Sequence, residues 1–182
     1  MAGTGHVALL RGVNVGGATT VSMSALRDLY STLGLDDVRS LLQSGNVVFR
    51  STGRAAAQLE RLLEAETDKR FGRGFDTFVR TAADWSAVVS GNPFPEAATR
   101  DPGHLLVLFL KDAPAGSQVS ALQKAIKGRE IARARGRHLY IVYPDGVGRS
   151  KLTLTLIEKV LETRGTGRNW NTVIKLGELV SA

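Results

Sequence analysis

The sequence predicts an α+β fold made of two ferredoxin-like subdomains (split βαβ, α/β-plait) with antiparallel sheets and a C-terminal helix. Two stretches of the chain run through the same order of elements, strand–helix–strand–strand–helix, and the first also ends in a fourth strand. Between them lies a segment, residues 91–103, that holds three of the five prolines. With 182 residues, 43% of them apolar, the chain can give each subdomain a packed core.

Apolar periodicity assigns the elements of the first subdomain, residues 1–81. The run His6–Arg11 is a strand, and a glycine-rich loop follows it. Ser22 is a suitable N-cap for a helix that ends at Gly34. The remaining elements are strands over 38–42 and 47–50, a helix over 54–71 and a strand over 75–80.

Residues 82–103 are predicted to form a short helix and a linker, and residues 104–182 the second subdomain. The second subdomain starts with a buried strand over 104–110 and a helix that contains Leu122. Strands over 130–135 and 138–143 form a hairpin, and a further helix follows Lys151. No strand pattern comes next, so the tail from Asn169 to Val180 is predicted to form a helix that replaces the last strand.

The positive charge is concentrated in the second half. Residues 1–103 carry 11 basic and 11 acidic side chains, whereas residues 104–182 carry 13 basic and 6 acidic ones, which accounts for the whole net charge of +7. This asymmetry indicates an acidic partner for the second half, either nucleic acid or a phosphorylated ligand. The alternative is a well-solvated surface from a GC-rich genome, because Arg outnumbers Lys by 17 to 7.

Several classes of protein and site are excluded. The chain has no cysteine, which removes disulfides and thiolate chemistry and suits a cytoplasmic location. No apolar run approaches the ~20 residues of a membrane span, so no membrane association is expected. His6, His104 and His138 lack partners at metal-ligand spacing, so neither a metal nor a cofactor is expected. No catalytic constellation is recognisable, which leaves open whether the chain is an enzyme.

In the first half, the candidate site is formed by two loops. Right-handed crossovers would place the loop after the first strand and the turn between strands two and three at one end of the sheet. Gly12, Gly16 and Gly17 would allow close approach of the backbone there. The alternative is that the polar residues are only turn formers. The candidate ligand-binding residues in these loops are Arg11, Asn14, Ser44 and Asn46.

The second half contains two further candidate anion sites. Gly146–Lys151 is a glycine-rich turn before a helix, and Arg149, Ser150 and Lys151 would suit an anion there. The alternative is a simple turn with Ser150 as the helix N-cap. On the tail helix, Arg168, Asn171 and Lys175 would form one polar stripe that contacts phosphate or is only the solvated face.

The predicted hairpin is a weaker candidate for nucleic-acid binding. It carries Arg133, Arg135 and Arg137, with Tyr140 and Tyr143 nearby. Sheets of this topology can stack bases on exposed aromatic side chains. The full aromatic signature of an RNA-recognition module is absent.

Recognisable motifs occur in residues 10–17, 23–26, 43–49, 150–152, 157–159, 168–172 and 175–176. Together they resemble those of the bacterial "domain of unknown function 1697" family. The resemblance implies two ferredoxin-like α+β subdomains and no particular activity. This chain has Thr19-Thr20 where the family often has Asn-Lys, so a lysine that met a ligand there would be missing.

These observations predict a cytoplasmic, non-enzymatic protein that binds a phosphorylated ligand or nucleic acid. One alternative is an enzyme that acts on a phosphorylated or nucleotide-like small molecule at the subdomain interface. A third interpretation is a structural or assembly module, and hydrogen bonds among buried motif residues would favour it.

Overall fold

The structure, a computed structural model, describes residues 3–14 and 21–182. Gly16, Gly17, Thr19 and Thr20 lie outside these ranges. The described chain is α+β with antiparallel sheets, as predicted, and both sheets have four strands. It divides into two compact units, one that runs to Ala87 and also includes Lys175–Ala182, and one that comprises Val88–Ile174.

The first unit has the predicted βαββαβ order, and its sheet has the strand order β2-β3-β1-β4. Ser22 caps the first helix as predicted, because its side chain accepts the N–H of Ala25 at 3.0 Å. The elements are β1 (Thr4–Leu10), α1 (Met23–Thr32), β2 (Asp36–Leu41), β3 (Asn46–Ser51), α2 (Ala56–Phe71), β4 (Thr77–Thr81) and α3 (Ala82–Ser90).

The core of the first unit lies between one face of this sheet and the helices α1 and α2. Alternate residues of a strand point to the same face, and Ala8 and Leu10 of β1 share a buried cluster with Phe49 of β3. Leu59 and Leu63, one turn apart on α2, are fully buried in the same cluster. Each such side chain contributes about 1.5–3 kcal/mol through burial.

The outer edge of β4 is closed by carboxylates. Alternate N–H groups of a strand point to the same side, so the N–H groups of Thr77, Val79 and Thr81 form the row that a further strand would use. Carboxylates of α2 and α3 accept these N–H groups at 2.8–3.1 Å. Glu60 accepts the N–H of Val79, Glu64 that of Thr77 and Asp84 that of Thr81. The row is therefore occupied without a fifth strand.

The second unit repeats the arrangement, with the strand order β6-β7-β5-β8. The predicted linker contains a short helix and a 3₁₀ turn over Pro102–His104. The elements are α4 (Pro95–Arg100), β5 (Leu105–Leu110), α5 (Gly116–Ala125), β6 (Ile131–Arg135), β7 (His138–Val142), α6 (Leu154–Leu161), β8 (Gly165–Asn169) and α7 (Trp170–Ser181).

The prediction that a helix replaces the last strand is wrong. The strand β8 pairs antiparallel with β5, and α7 follows it. A Cβ on Gly165 would lie 3.0 Å from side-chain atoms of Leu108 and Leu110, and one on Gly167 would lie 3.0 Å from Leu106. Glycine therefore gives β5 the space for its leucines. Because β8 reads Gly-Thr-Gly-Arg-Asn, it lacks the apolar alternation that identifies a strand.

The end of α7 belongs to the first unit, whereas the sequence assigned all of residues 104–182 to the second. Arg39 of β2 donates to the carbonyl of Leu179 at 2.8 Å. A Cβ on Gly5 would lie 2.9 Å from the carbonyl oxygen of Val180. A basic side chain at the last carbonyls of a helix complements the helix dipole.

Candidate functional site

The two loops of the first-half candidate site lie together at one end of the first sheet, as predicted. The N–H of Leu10 donates to the carbonyl of Gly45 at 2.9 Å. The side-chain amide of Asn14 donates to the carbonyl of Gln43 at 2.8 Å. Residues thirty positions apart in the sequence thus become neighbours through the strand order of the sheet.

Within the described residues, the side chain of Asn14 makes its hydrogen bonds to the main chain. Its Nδ2 donates to the carbonyls of Gln43 and, at 3.0 Å, Val21. Its Oδ1 accepts the N–H of Val21 at 2.8 Å. The backbone of Asn14 is left-handed, with φ 57°, a conformation that asparagine tolerates better than most residues. The side chain therefore ties the loop after β1 to the turn before β3.

The Ser44–Asn46 turn is held in a similar way. Asn46 is fully buried, and its Nδ2 donates to the carbonyl of Leu41 and to Ser44 Oγ, each at 3.0 Å. Gly45 has φ +77°, and a Cβ there would lie 2.9 Å from the Cβ of Leu10. Only glycine fits this position without strain.

Arg11 pairs with Asp76, a residue that the sequence analysis did not single out. Arg11 Nη1 lies 3.4 Å from Asp76 Oδ2, and its backbone N–H donates to the carbonyl of Asp76 at 2.9 Å. Both side chains are partly exposed, at 25% and 30%. The pairing of the strands could have identified Asp76 from the sequence. Because β4 pairs with β1, the residue before β4 must adjoin the residue after β1.

In the second unit, the predicted residues of the Gly146–Lys151 turn line a shallow depression. Lys127 and Arg129, which the sequence analysis missed, lie beside that turn because the start of β6 adjoins the end of β7. The depression measures about 260 Å³ and is lined by Lys127, Gly128, Arg129, Glu130, Asp145, Arg149, Ser150 and Lys151.

The two acidic side chains of the depression both have protein partners. Arg129 donates to Asp145 through two nitrogens, with Nε 3.3 Å from Oδ2. This hydrogen bond raises the pKa of Arg129. Ser150 Oγ donates to Glu130 Oε1 and accepts the N–H of Leu152 at 3.0 Å. Ser150 is not the N-cap of α6, because Thr153 takes that role.

Three basic side chains of the depression have no side-chain partner among the described residues. Lys127, Arg149 and Lys151 are exposed. Their side chains make no hydrogen bond or ion pair to any residue in the ranges 3–14 and 21–182. Apart from the Arg129–Asp145 pair, the depression therefore holds three cationic side chains and the carboxylate of Glu130, an excess of positive charge.

The predicted polar stripe on the tail helix does not form. Arg168 lies in β8, is 8% exposed, and donates to Thr166 Oγ1 at 2.8 Å and to the carbonyl of Gly167 at 2.9 Å. Burial lowers the pKa of its guanidinium to about 10. Asn171 and Lys175 are exposed on α7. The stripe prediction assumed a helix at Arg168, where the chain is still extended.

The predicted hairpin forms, but its aromatic side chains are buried. The hydroxyl of Tyr140 donates to the carbonyl of Val88 at 2.8 Å, and that of Tyr143 to the carbonyl of Leu152 at 3.0 Å. Neither ring can stack on a base. Arg133 and Arg135 are exposed on β6, as the alternation predicted.

Arg137 is half-buried in the turn of the hairpin, and its Nη1 lies 3.5 Å from the carbonyl of Lys111. Within the described residues, no group of three His, Asp or Glu side chains could hold a metal ion. No helix in the same part of the chain has both the length and the apolar character needed to cross a membrane.

Comparison with known proteins gives the family. The sequence profile described as "Protein of unknown function (DUF1697)" matches residues 4–140, about three quarters of the chain. The chain belongs to the DUF1697 family. Among curated proteins, no match is found for this DUF1697 chain.

A solved structure supports the fold of this DUF1697 protein. The chain is similar to the conserved bacterial protein SP0830 from Streptococcus pneumoniae, with a TM-score of 0.77 and 24% identity. The match covers 97% of this chain and 98% of that one. At this identity the likeness establishes a shared fold and carries no activity with it.

Proposed function

We propose that this DUF1697 protein is a binding protein that holds the phosphate group of a ligand in the depression of the second unit. The observation that carries the proposal is the set of three exposed cations, Lys127, Arg149 and Lys151, without protein partners among the described residues. Like charges held together gain most from an anion between them. Lysine supplies a point charge, and arginine a planar fork that matches phosphate oxygens.

The size of the depression favours a phosphate group over a long nucleic-acid segment. Its 260 Å³ lies just below the volume of ordinary small-molecule pockets, which run from about 300 to 1,000 Å³. It can take a phosphate and a small adjoining part of the ligand. The burial of Tyr140 and Tyr143 also removes the stacking surface that single-stranded nucleic acid would use.

The motif residues of the first unit support a structural role instead. Asn14 and Asn46 direct their amide donors to main-chain carbonyls or to Ser44. A ligand would have to displace these bonds. We therefore assign Asn14, Ser44 and Asn46 to holding the two loops together, in line with the structural interpretation of the motif.

Pyrophosphate titration tests the proposal. At about 100 times its Kd, a ligand that binds only the folded state stabilises it by about 2.7 kcal/mol, or roughly 5–10 °C in Tm for a chain of this length. Pyrophosphate at constant ionic strength should raise Tm, and the triple variant Lys127→Ala, Arg149→Ala, Lys151→Ala should lose this shift.

Lys159→Ala is the matched control, because it removes an exposed positive charge from α6 without touching the depression. It should keep the full shift. An equal pyrophosphate response in the parent and the triple variant would place anion binding elsewhere. No response in the parent beyond that to chloride would end the phosphate proposal.

A further inference from the structure

The outer edge of β6 is open, in contrast with the closed edge of β4. Arg135 and His138 pair across the two-residue turn, so the N–H and C=O groups of Ala132 and Ala134 point away from β7. Among the described residues, the only partner of these four groups is Gln123, whose Nε2 donates to the carbonyl of Ala132 at 3.3 Å.

We propose that β6 binds an extended acidic segment of a partner protein, which pairs with this edge as a fifth strand. In such strand addition the main-chain hydrogen bonds give affinity, and alternate side chains give specificity. The proposal concerns a peptide and does not depend on the phosphate proposal.

The charge of the edge selects an acidic partner. Arg133 and Arg135 are exposed on the same face of β6. The guanidinium of Arg133 lies 5.1 Å from the ring centre of Phe94, a contact that orients it. Residues directly opposite in paired strands have Cβ atoms about 4.5–5.5 Å apart, so two acidic residues at alternate positions would meet these arginines. A second copy of β6 is a poor partner, because it would bring arginine against arginine.

A groove beside β6 indicates what kind of side chain the partner carries between its two acidic residues. It measures about 340 Å³ and is lined by Gln123, Ile126, Glu130, Ile131, Ala132 and Arg133. A residue between the two acids points to the face of the sheet opposite Arg133 and Arg135, which is the face on which Ala132 lies. An apolar side chain between the acids would reach this groove, so the expected pattern is acidic–apolar–acidic. Glu130 repels an acid at its own end of the groove and so places both acids at the arginine end.

A charge-swap experiment tests the proposal. A fluorescent nine-residue peptide with Glu-Leu-Glu at its centre is titrated with the full-length protein and followed by anisotropy. The variant Arg133→Glu, Arg135→Glu should bind it about tenfold or more weakly, because two attractive cross-strand pairs become repulsive. The same variant should gain binding of a second nine-residue peptide, in which Lys-Leu-Lys replaces Glu-Leu-Glu at the centre.

The control variant Arg61→Glu, Lys159→Glu changes the net charge equally at exposed helix positions and should bind like the parent. Amide exchange should slow at Ala132 and Ala134 when the peptide is bound. Three results would overturn the proposal. These are no binding to the parent, equal binding by parent and charge-swap variant, or tighter binding of an oligonucleotide through the same arginines.

Discussion

The carboxylate of Glu60 should be one of the most important polar groups for the stability of the first unit. Its Oε1 accepts the N–H of Val79 at 2.8 Å and lies 3.5 Å from Nη1 of Arg80. The side chain of Arg80 is 1% exposed and that of Glu60 is 11% exposed. Glu60 thus serves both the edge of β4 and a buried ion pair.

Replacement of Glu60 by Ala removes both interactions at once. A buried hydrogen-bonding group left without its partner costs about 1–3 kcal/mol, and the loss of one member of a buried ion pair costs about 3–5 kcal/mol. The two effects overlap at one oxygen, so we expect a total loss of about 3–5 kcal/mol. For a chain of this length, that lowers Tm by roughly 6–20 °C.

Two further variants separate the contributions in chemical unfolding by urea. Glu60→Gln keeps an oxygen for the N–H of Val79 but removes the charge that faces Arg80, so its cost should be intermediate. Glu66→Ala, on the same helix, breaks a surface pair with Lys69, its one side-chain partner among the described residues, and should cost less than about 1 kcal/mol. If Glu60→Ala costs no more than Glu66→Ala, the carboxylate does not close the edge of β4 as described.

Three other changes have defined outcomes. Asn14→Ala removes the three side-chain hydrogen bonds that Asn14 makes within the described residues, and should cost about 1–3 kcal/mol in urea unfolding while the pyrophosphate shift stays intact. Loss of that shift would contradict a structural role. Tyr30→Phe should leave stability unchanged or raise it by about 1 kcal/mol, because the buried hydroxyl of Tyr30 has no partner within the described residues; a clear loss would reveal one. Burial lowers the pKa of His6 below its usual 6.5. The unfolded state therefore binds more protons than the folded state below pH 6.5, and stability falls as the pH drops from 6.5 towards the folded pKa. Between about pH 7.5 and 5.5, Tm should therefore fall less in His6→Gln than in the parent.

The local pattern of the sequence predicted most of the elements and one long-range relation. The helix cap at Ser22 and the hairpin around Gly136-Arg137 depend on neighbours in the chain, and both are confirmed. The meeting of the Arg11 loop with the Ser44 turn follows from strand order, so topology was sufficient for it. To identify a side-chain partner such as Asp76, the register of β1 and β4 must also be known.

The candidate anion site was only half visible in the sequence. Arg149, Ser150 and Lys151 stand out in a glycine-rich turn, whereas Lys127 and Arg129 sit in an ordinary connection before β6. The pairing of β6 with β7 brings the two segments together. The sequence predicts this hairpin, so the proximity of Lys127 and Arg129 to the glycine-rich turn could have been inferred from the pairing of its two strands.

By itself, the sequence determined the α+β class, the order of elements in the first unit and the exposed alternation of Arg133 and Arg135, because each depends on local periodicity. Only the tertiary structure decided that Gly165–Asn169 is a strand, that Arg168 is buried, and that Glu60 closes a sheet edge. The physical reason is the same in these three cases. Pairing with β5 and packing of α2 against β4 supply hydrogen bonds and close contacts that override weak local preferences, and no local pattern encodes them.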